Sequence, residues 1–135
     1  MIVIDAKNLV LGRFATYAAK QALLGQDVRI INAEKAIISG TRKKILADFK
    51  RDREMGIPTK GPFMPKLPDR YVRRVIRGML PHHQTKGTEA FKRVLCFKGV
   101  PEEFKDAKIF ELPDCSVEKF KTLKYITLEE ALKYN

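Results

Sequence analysis

The stretch from Ile2 to Ile31 limits the architecture of this chain more tightly than any other. Ile2-Val3-Ile4 is a short β-branched run ending at Asp5, the pattern of a buried strand. Leu11, Phe14, Ala15, Ala18, Ala22 and Leu23 then recur at i, i+3, i+4, i+7, i+11 and i+12, which is one face of a helix, with Gly25 as its stop. The small side chains of Ala15, Ala18 and Ala22 let such a helix approach a sheet closely. Val28-Arg29-Ile30-Ile31 reads as a second strand, ending in Asn32-Ala33-Glu34. Strand, helix and strand in this order predict a right-handed βαβ unit with parallel strands, and hence an α/β scaffold.

Such a start raises the question of a nucleotide cofactor. The first turn holds only Gly12, and neither G-x-G-x-x-G nor G-x-x-x-x-G-K-[ST] occurs in the chain. Without those glycines the backbone cannot approach a pyrophosphate, so no cofactor is expected. The scaffold is kept and the dinucleotide function set aside.

The charge distribution points elsewhere. The chain has 135 residues, enough for one domain with a core, and its 44% hydrophobic content argues against global disorder. The net charge is +11. Residues 1–40 contribute +2, residues 41–93 contribute +10 and residues 94–135 contribute −1, so the excess sits in a basic middle insert on a near-neutral scaffold. That asymmetry calls for an anionic partner.

Within the insert, Arg70 to Leu80 reads as a helix with two stripes. Val72, Val75, Ile76, Met79 and Leu80 make an apolar face, and Arg70, Arg73, Arg74 and Arg77 lie about 200° away at about 100° per residue. Asp69 is the expected N-cap and Pro81 ends the helix. A solvated face is the bland reading of any charged stripe. Solvated faces mix signs, however, and no acid occurs from Arg70 to Thr88. A polyanion would offset the repulsion.

The flanking segments share this character. Ser39-Gly40-Thr41 predicts a turn and N-cap for a helix over Arg42–Arg53, with Ile45, Leu46 and Phe49 inward. Arg42, Lys43, Lys44, Lys50, Arg51 and Arg53 crowd its other faces, relieved in part by Asp48, Asp52 and Glu54. Glu54–Pro68 is too rich in Gly and Pro for a helix or central strand, and carries Lys60 and Lys66 around Phe63 and Met64. A basic loop of this length is functional or folds on binding, and both RNA and a neighbouring protein fit it. Further on, Thr88 is expected to cap a short helix with Phe91, Val94 and Leu95 on its apolar side. Glu102–Lys108 reads as a mixed-charge surface patch and Ile109–Leu112 as a strand. Thr127-Leu128-Glu129-Glu130 is a capping box with an Ile126–Ala131 staple, opening a last helix toward Tyr134.

Catalysis and metal binding find little support. His82, His83, Cys96 and Cys115 lack metal-ligand spacing. His83-Gln84-Thr85 is a single His-x-Thr where acid and base roles need two, and no nucleophile elbow or Cys–His motif occurs. The histidines read as contacts in a turn beside the arginines, or as a plain surface turn. The two cysteines are too few for a disulfide framework and fit a reducing compartment; no signal peptide or membrane span is visible, so a cytosolic protein is expected. No zinc finger, basic zipper or RRM signature occurs, and 9% aromatics with no Trp do not point to a stacking platform for single strands. Binding of folded RNA by shape and backbone charge is what remains.

Arg77-Gly78-Met79-Leu80-Pro81-His82, with Gly87 and Glu89-Ala90-Phe91 after it, resembles the signature of the universal large-subunit ribosomal protein thirteen family. Val3-Ile4-Asp5-Ala6, Gly12-Arg13, Asn32-Ala33-Glu34 and Ser39-Gly40 resemble its amino-terminal half, and Tyr125-Ile126-Thr127-Leu128 its carboxy-terminal element. The short form is most similar to the archaeal branch. Two positions depart from the pattern: His83 and Gln84 stand where the family usually has Lys or Arg, and Glu129 where it often has Gly.

The resemblance implies a three-layer α/β/α domain with a small, mainly parallel sheet of about four strands. It implies a non-enzymatic constituent of the large ribosomal subunit, binding rRNA and supporting early assembly, with ribosomal proteins as neighbours. No cofactor, small-molecule substrate, membrane or homo-oligomer is expected. The candidate RNA-binding residues are Arg42, Lys43, Lys44, Arg51, Lys60, Lys66, Arg70, Arg73, Arg74, Arg77, His82 and Lys86. The alternatives are a free-standing regulatory RNA-binding protein and a small phosphate-substrate enzyme using His82 or His83.

Overall fold

The computed structural model describes residues 1–121 and 124–133. The elements run β1 (Ile2–Asp5), α1 (Leu11–Leu23), β2 (Val28–Ile31), β3 (Ile37–Ser39), α2 (Arg42–Glu54), α3 (Pro68–Gly78), α4 (Thr85–Lys92), β4 (Val94–Cys96), β5 (Tyr125–Thr127) and α5 (Leu128–Lys133). The opening βαβ unit is present, with Ile2 opposite Val28 and Ile4 opposite Ile30 in parallel register. β4 joins the free side of β2, also parallel, so the sheet order is β1-β2-β4. Among the described residues the main sheet therefore has three strands rather than about four. β3 and β5 form a separate antiparallel pair, Ile37 opposite Thr127 and Ser39 opposite Tyr125.

Alternation along the strands sorts the core. Ile4, Val28, Ile30 and Val94 point to one face, where they meet Phe14, Ala15, Ala18 and Ala22 of α1 and Val72 and Ile76 of α3. The three alanines are fully buried, as close approach of a helix requires, whereas Leu23 is 46% exposed and leaves the expected stripe. α1 ends with Gly25 N–H donating to Ala22 O and Gln26 N–H to Gln21 O, which satisfies two of its last carbonyls. Val3 and Ile31 point to the opposite face and are covered by Phe104 on a 3-10 turn, Glu102–Phe104. The expected surface patch at Glu102–Lys108 thus contains a core residue. Phe104 sits with its ring centroid 5.5 Å from that of Phe97.

Several boundaries differ from expectation for local reasons. Pro68 occupies the first helical position of α3, where its fixed φ fits and its missing N–H costs nothing. Asp69 therefore lies inside the first turn, favourable to the helix dipole, and Leu67 stands at the N-cap instead. α3 ends at Gly78, so Met79 swings out to 40% exposure while Leu80 turns back into the core. α4 begins at Thr85, with Gln84 at its N-cap, and stops at Lys92. The hydroxyl of Thr88 donates inside that helix, to Gln84 O at 3.1 Å and His82 O at 3.0 Å, instead of capping its start. Val94 and Leu95 belong to β4, not to the helix. Ile109–Leu112 forms no strand: Ile109 makes one isolated bridge to Val3, and Phe110 N–H donates to Val3 O.

The last helix starts as expected at one of its two caps. Glu130 N–H donates to Thr127 Oγ1 at 3.4 Å. The Glu130 carboxylate instead faces Arg42 at 3.6 Å, tying α5 to the start of α2. Ile126 and Ala131 pack together with Ile45, as the staple requires. The expected extension to Tyr134 lies outside the described residues.

Candidate nucleic-acid interface

α3 is held by its apolar side: Val72 and Ile76 are fully buried and Leu80 is 4% exposed. The four arginines on its other side do not share one fate. Arg70 is exposed and Arg77 half-buried, and among the described residues neither has a hydrogen-bond or ion-pair partner. Arg73 curls back over the sheet edge, donating from Nε to Val94 O at 3.0 Å and from Nη2 to Phe91 O at 3.4 Å. Its guanidinium carbon lies 4.0 Å from the centroid of the Phe91 ring, a cation–π contact. Arg74 donates from Nη1 to Phe63 O at 2.8 Å and so pins the preceding loop to the helix.

α2 lies beside α3 because Phe49 stacks on Tyr71 with centroids 5.2 Å apart. Burial, with the Asp52 carboxylate nearby, raises the Tyr71 hydroxyl above its ordinary pKa, so the ring stays neutral in this seam. Arg42, Lys43 and Lys44 fill the first turn of α2, which has no acid. Cations there oppose the helix dipole, an unfavourable placement unless an anion arrives. Lys43 and Lys44 are exposed, and Arg51 is exposed with a 3.9 Å contact to its neighbour Asp52. Lys60 and Lys66 are exposed on the loop between the helices. Lys86, exposed, repeats the same unfavourable placement in the acid-free first turn of α4.

The histidine turn is tightly built. His82 is half-buried and His83 exposed, with ring centroids 4.1 Å apart. Nδ1 of His82 is buried with no hydrogen-bond partner among the described residues. α4 crosses directly over this turn: a Cβ on Gly87 would lie 1.9 Å from Pro81 O and 2.8 Å from His82 N. Glycine is required there by contact alone.

Of the four arginines outside the candidate set, Arg13, Arg29 and Arg93 bond within the fold. Arg93 donates to Ala22 O at 3.0 Å, closing the carboxyl end of α1, and Arg29 donates to Arg93 O at 2.8 Å. Both brace the scaffold. Arg13 donates to Asp114 O at 3.1 Å and lies 5.3 Å from the Phe120 ring centroid. Nothing in local sequence separates a bracing arginine from a presenting one, because the difference lies in which carbonyl is within reach. The polar groups at the carboxyl ends of β1 and β2 are also committed internally. Asn32, at φ 55°, donates to Asp5 Oδ1 at 3.0 Å, and the Glu34 carboxylate accepts from Gly99 N–H at 3.0 Å. In an open parallel sheet this is where a nucleotide would dock. Cys96, beside Arg73 at the sheet edge, has its thiol pushed up to about 12 by burial. That holds it in the neutral form, which is not the nucleophile.

Fold and surface together define a class: a basic α/β scaffold protein that presents a charged surface on its helices and the loop between α2 and α3. The family follows from comparison. The family model described as ribosomal protein L13 matches residues 1–103, and the chain belongs to that family. Among its relatives, the large ribosomal subunit protein uL13 of Methanosarcina barkeri is 44% identical over 96% of this chain and 94% of its own. The protein of the same name from Thermoplasma volcanium is 42% identical, covering 98% and 96%. That from Archaeoglobus fulgidus is 39% identical, covering 98% and 85%. The archaeal-type resemblance of the sequence is thereby established.

Proposed function

We propose that this protein is a structural, cytoplasmic constituent of the large ribosomal subunit that binds rRNA through its basic helices and loop and supports early subunit assembly. Family members are structural constituents rather than enzymes, which leaves His82 and His83 without a catalytic reading. One observation carries the RNA reading. Lys43, Lys44, Lys60, Lys66, Arg70, Arg77 and Lys86 all lie between residues 41 and 93 and make no ion pair among the described residues. Such a surface is repulsive by itself and becomes favourable against phosphates.

Within this reading the candidates divide. Arg70 and Arg77 meet phosphate directly, with Lys43, Lys44, Lys60, Lys66 and Lys86 around them. Arg42 and Arg51 contribute charge from the same helix, and His82 contributes from the turn. Arg73 and Arg74 act by holding the surface in shape. Neighbouring large-subunit proteins take the parts of the surface that rRNA leaves open, and no second copy of the chain is needed.

The test is where the protein travels when a cell extract is sedimented. Quantitative co-migration with large subunits is expected. A pool found mostly free would favour a free-standing regulatory RNA-binding protein and overturn the ribosomal assignment.

A further inference from the structure

The loop between α2 and α3 presents one aromatic ring in a way that the basic surface alone does not explain. Phe63 is 65% exposed, which forgoes most of the stabilisation that burying a ring brings. Yet it is held firmly. Ile57 O accepts from Gly61 N–H at 2.7 Å and from Lys60 N–H at 3.3 Å, closing a turn just before the ring. The Phe63 carbonyl is latched to α3 by Arg74 at 2.8 Å. One side of the ring lies over Gly61, where a Cβ would come within 3.1 Å of three ring atoms. No other ring stacks on it among the described residues.

Two grooves meet at this ring. Arg53 and Lys66 are among the walls of one, where Glu54 is the only acid, and Lys66 and Arg70 among the walls of the other, which has none. An exposed ring on an anchored backbone, with cations in the grooves on either side, matches a nucleotide whose base has left its helix: the base stacks on the ring and its phosphates meet the flanking side chains. We infer that Phe63 is a stacking site for a single unpaired rRNA base, held open by Arg74 and flanked by Lys66 and Arg70. The site rests on the rRNA-binding reading and adds to it a contact that carries no charge. Met64, Pro65 and Leu67 share these walls, but Lys66 and Arg70 with no acid in the second groove favour a base carrying its phosphates over an apolar protein segment. With few aromatics in the chain, the site takes one base rather than a run of single strand.

The test uses the full chain and large-subunit rRNA stripped of protein, with Phe63→Leu and Phe63→Tyr compared with the unaltered protein across a range of salt. Leucine keeps the apolar volume and removes the π face; tyrosine keeps the face. Phe63→Leu should weaken binding about five- to a hundredfold, with the slope of log K against log salt unchanged. Phe63→Tyr should bind as the unaltered protein does. Because the ring is mostly exposed, thermal unfolding should match in all three, which excludes misfolding as the cause. Equal affinity for Phe63→Leu would overturn the stacking site while leaving the rRNA reading intact, and would assign the ring to a protein neighbour. A changed slope in Phe63→Leu would also overturn it, since the contact would then be electrostatic. If the unaltered protein itself fails to bind the stripped rRNA, the rRNA reading falls and the stacking site with it.

Discussion

Arg70 and Arg73 stand three residues apart on α3, and their surroundings give them opposite duties. Arg73 spends its donors on Val94 O and Phe91 O and rests on the Phe91 ring, so it fastens the helix to the sheet edge and to α4. Arg70 is exposed with no such partner. Arg73→Gln should therefore lower stability by about 1–3 kcal/mol, since it removes charge-assisted hydrogen bonds and a cation–π interaction. Arg70→Gln should leave stability within about 0.5 kcal/mol, as for other surface changes, while weakening rRNA binding. Denaturant titration of the two variants separates these duties, and equal stability losses would refute the division. The sequence showed four arginines at helical spacing but could not show this division. Periodicity reports the angle of a side chain around the helix; it does not report which backbone carbonyls from β4 and α4 come within reach. Met79 failed for a related reason, because its angle was right for a helix that had already ended at Gly78.

Elements were legible in proportion to how much of their stabilisation is local. β1, α1 and β2 were readable because each carries a full period of apolar residues and the connection between parallel strands has one hand. β4 was not, because Val94–Cys96 is three residues long and follows α4 after one residue, so Val94 and Leu95 also satisfied the helical spacing from Phe91. Its strand character comes from pairing with β2, sixty-odd residues earlier in the chain. β3 is equally short and is stabilised by β5 from the far end of the chain. The junction of α4 with the histidine turn gives a test at this scale. Gly87→Ala would place a methyl group 1.9 Å from Pro81 O, and backbone on both sides must move to relieve it. The destabilisation should be about 1–3 kcal/mol, typical of overpacking, even though alanine is the better helix former. A calorimetric melting temperature unchanged or raised in that variant would show that the helix and the turn cross with room to spare.

At the scale of the molecule, core and charge come from the same stretch of chain. Residues 68–92 supply Val72, Ile76, Leu80 and Ala90 to the cluster that also holds Ile4, Phe14 and Ile30, and they carry Arg70, Arg77 and Lys86 on the outside. The net charge and its concentration in residues 41–93 were visible without coordinates, since charge needs only counting. What needed the fold was the placement of those charges. Two helix first turns carry cations and no acid, a loop is latched by Arg74, and the seam between Phe49 and Tyr71 sets α2 beside α3. The measurement that tests this account most directly is the salt dependence of binding to protein-free large-subunit rRNA for Arg70→Gln/Arg77→Gln beside the unaltered protein. The account predicts weaker binding at every salt concentration and a slope of log K against log salt shallower by about 1.4–1.8, near 0.7–0.9 for each phosphate that is no longer neutralised. Parallel lines of equal affinity would contradict it.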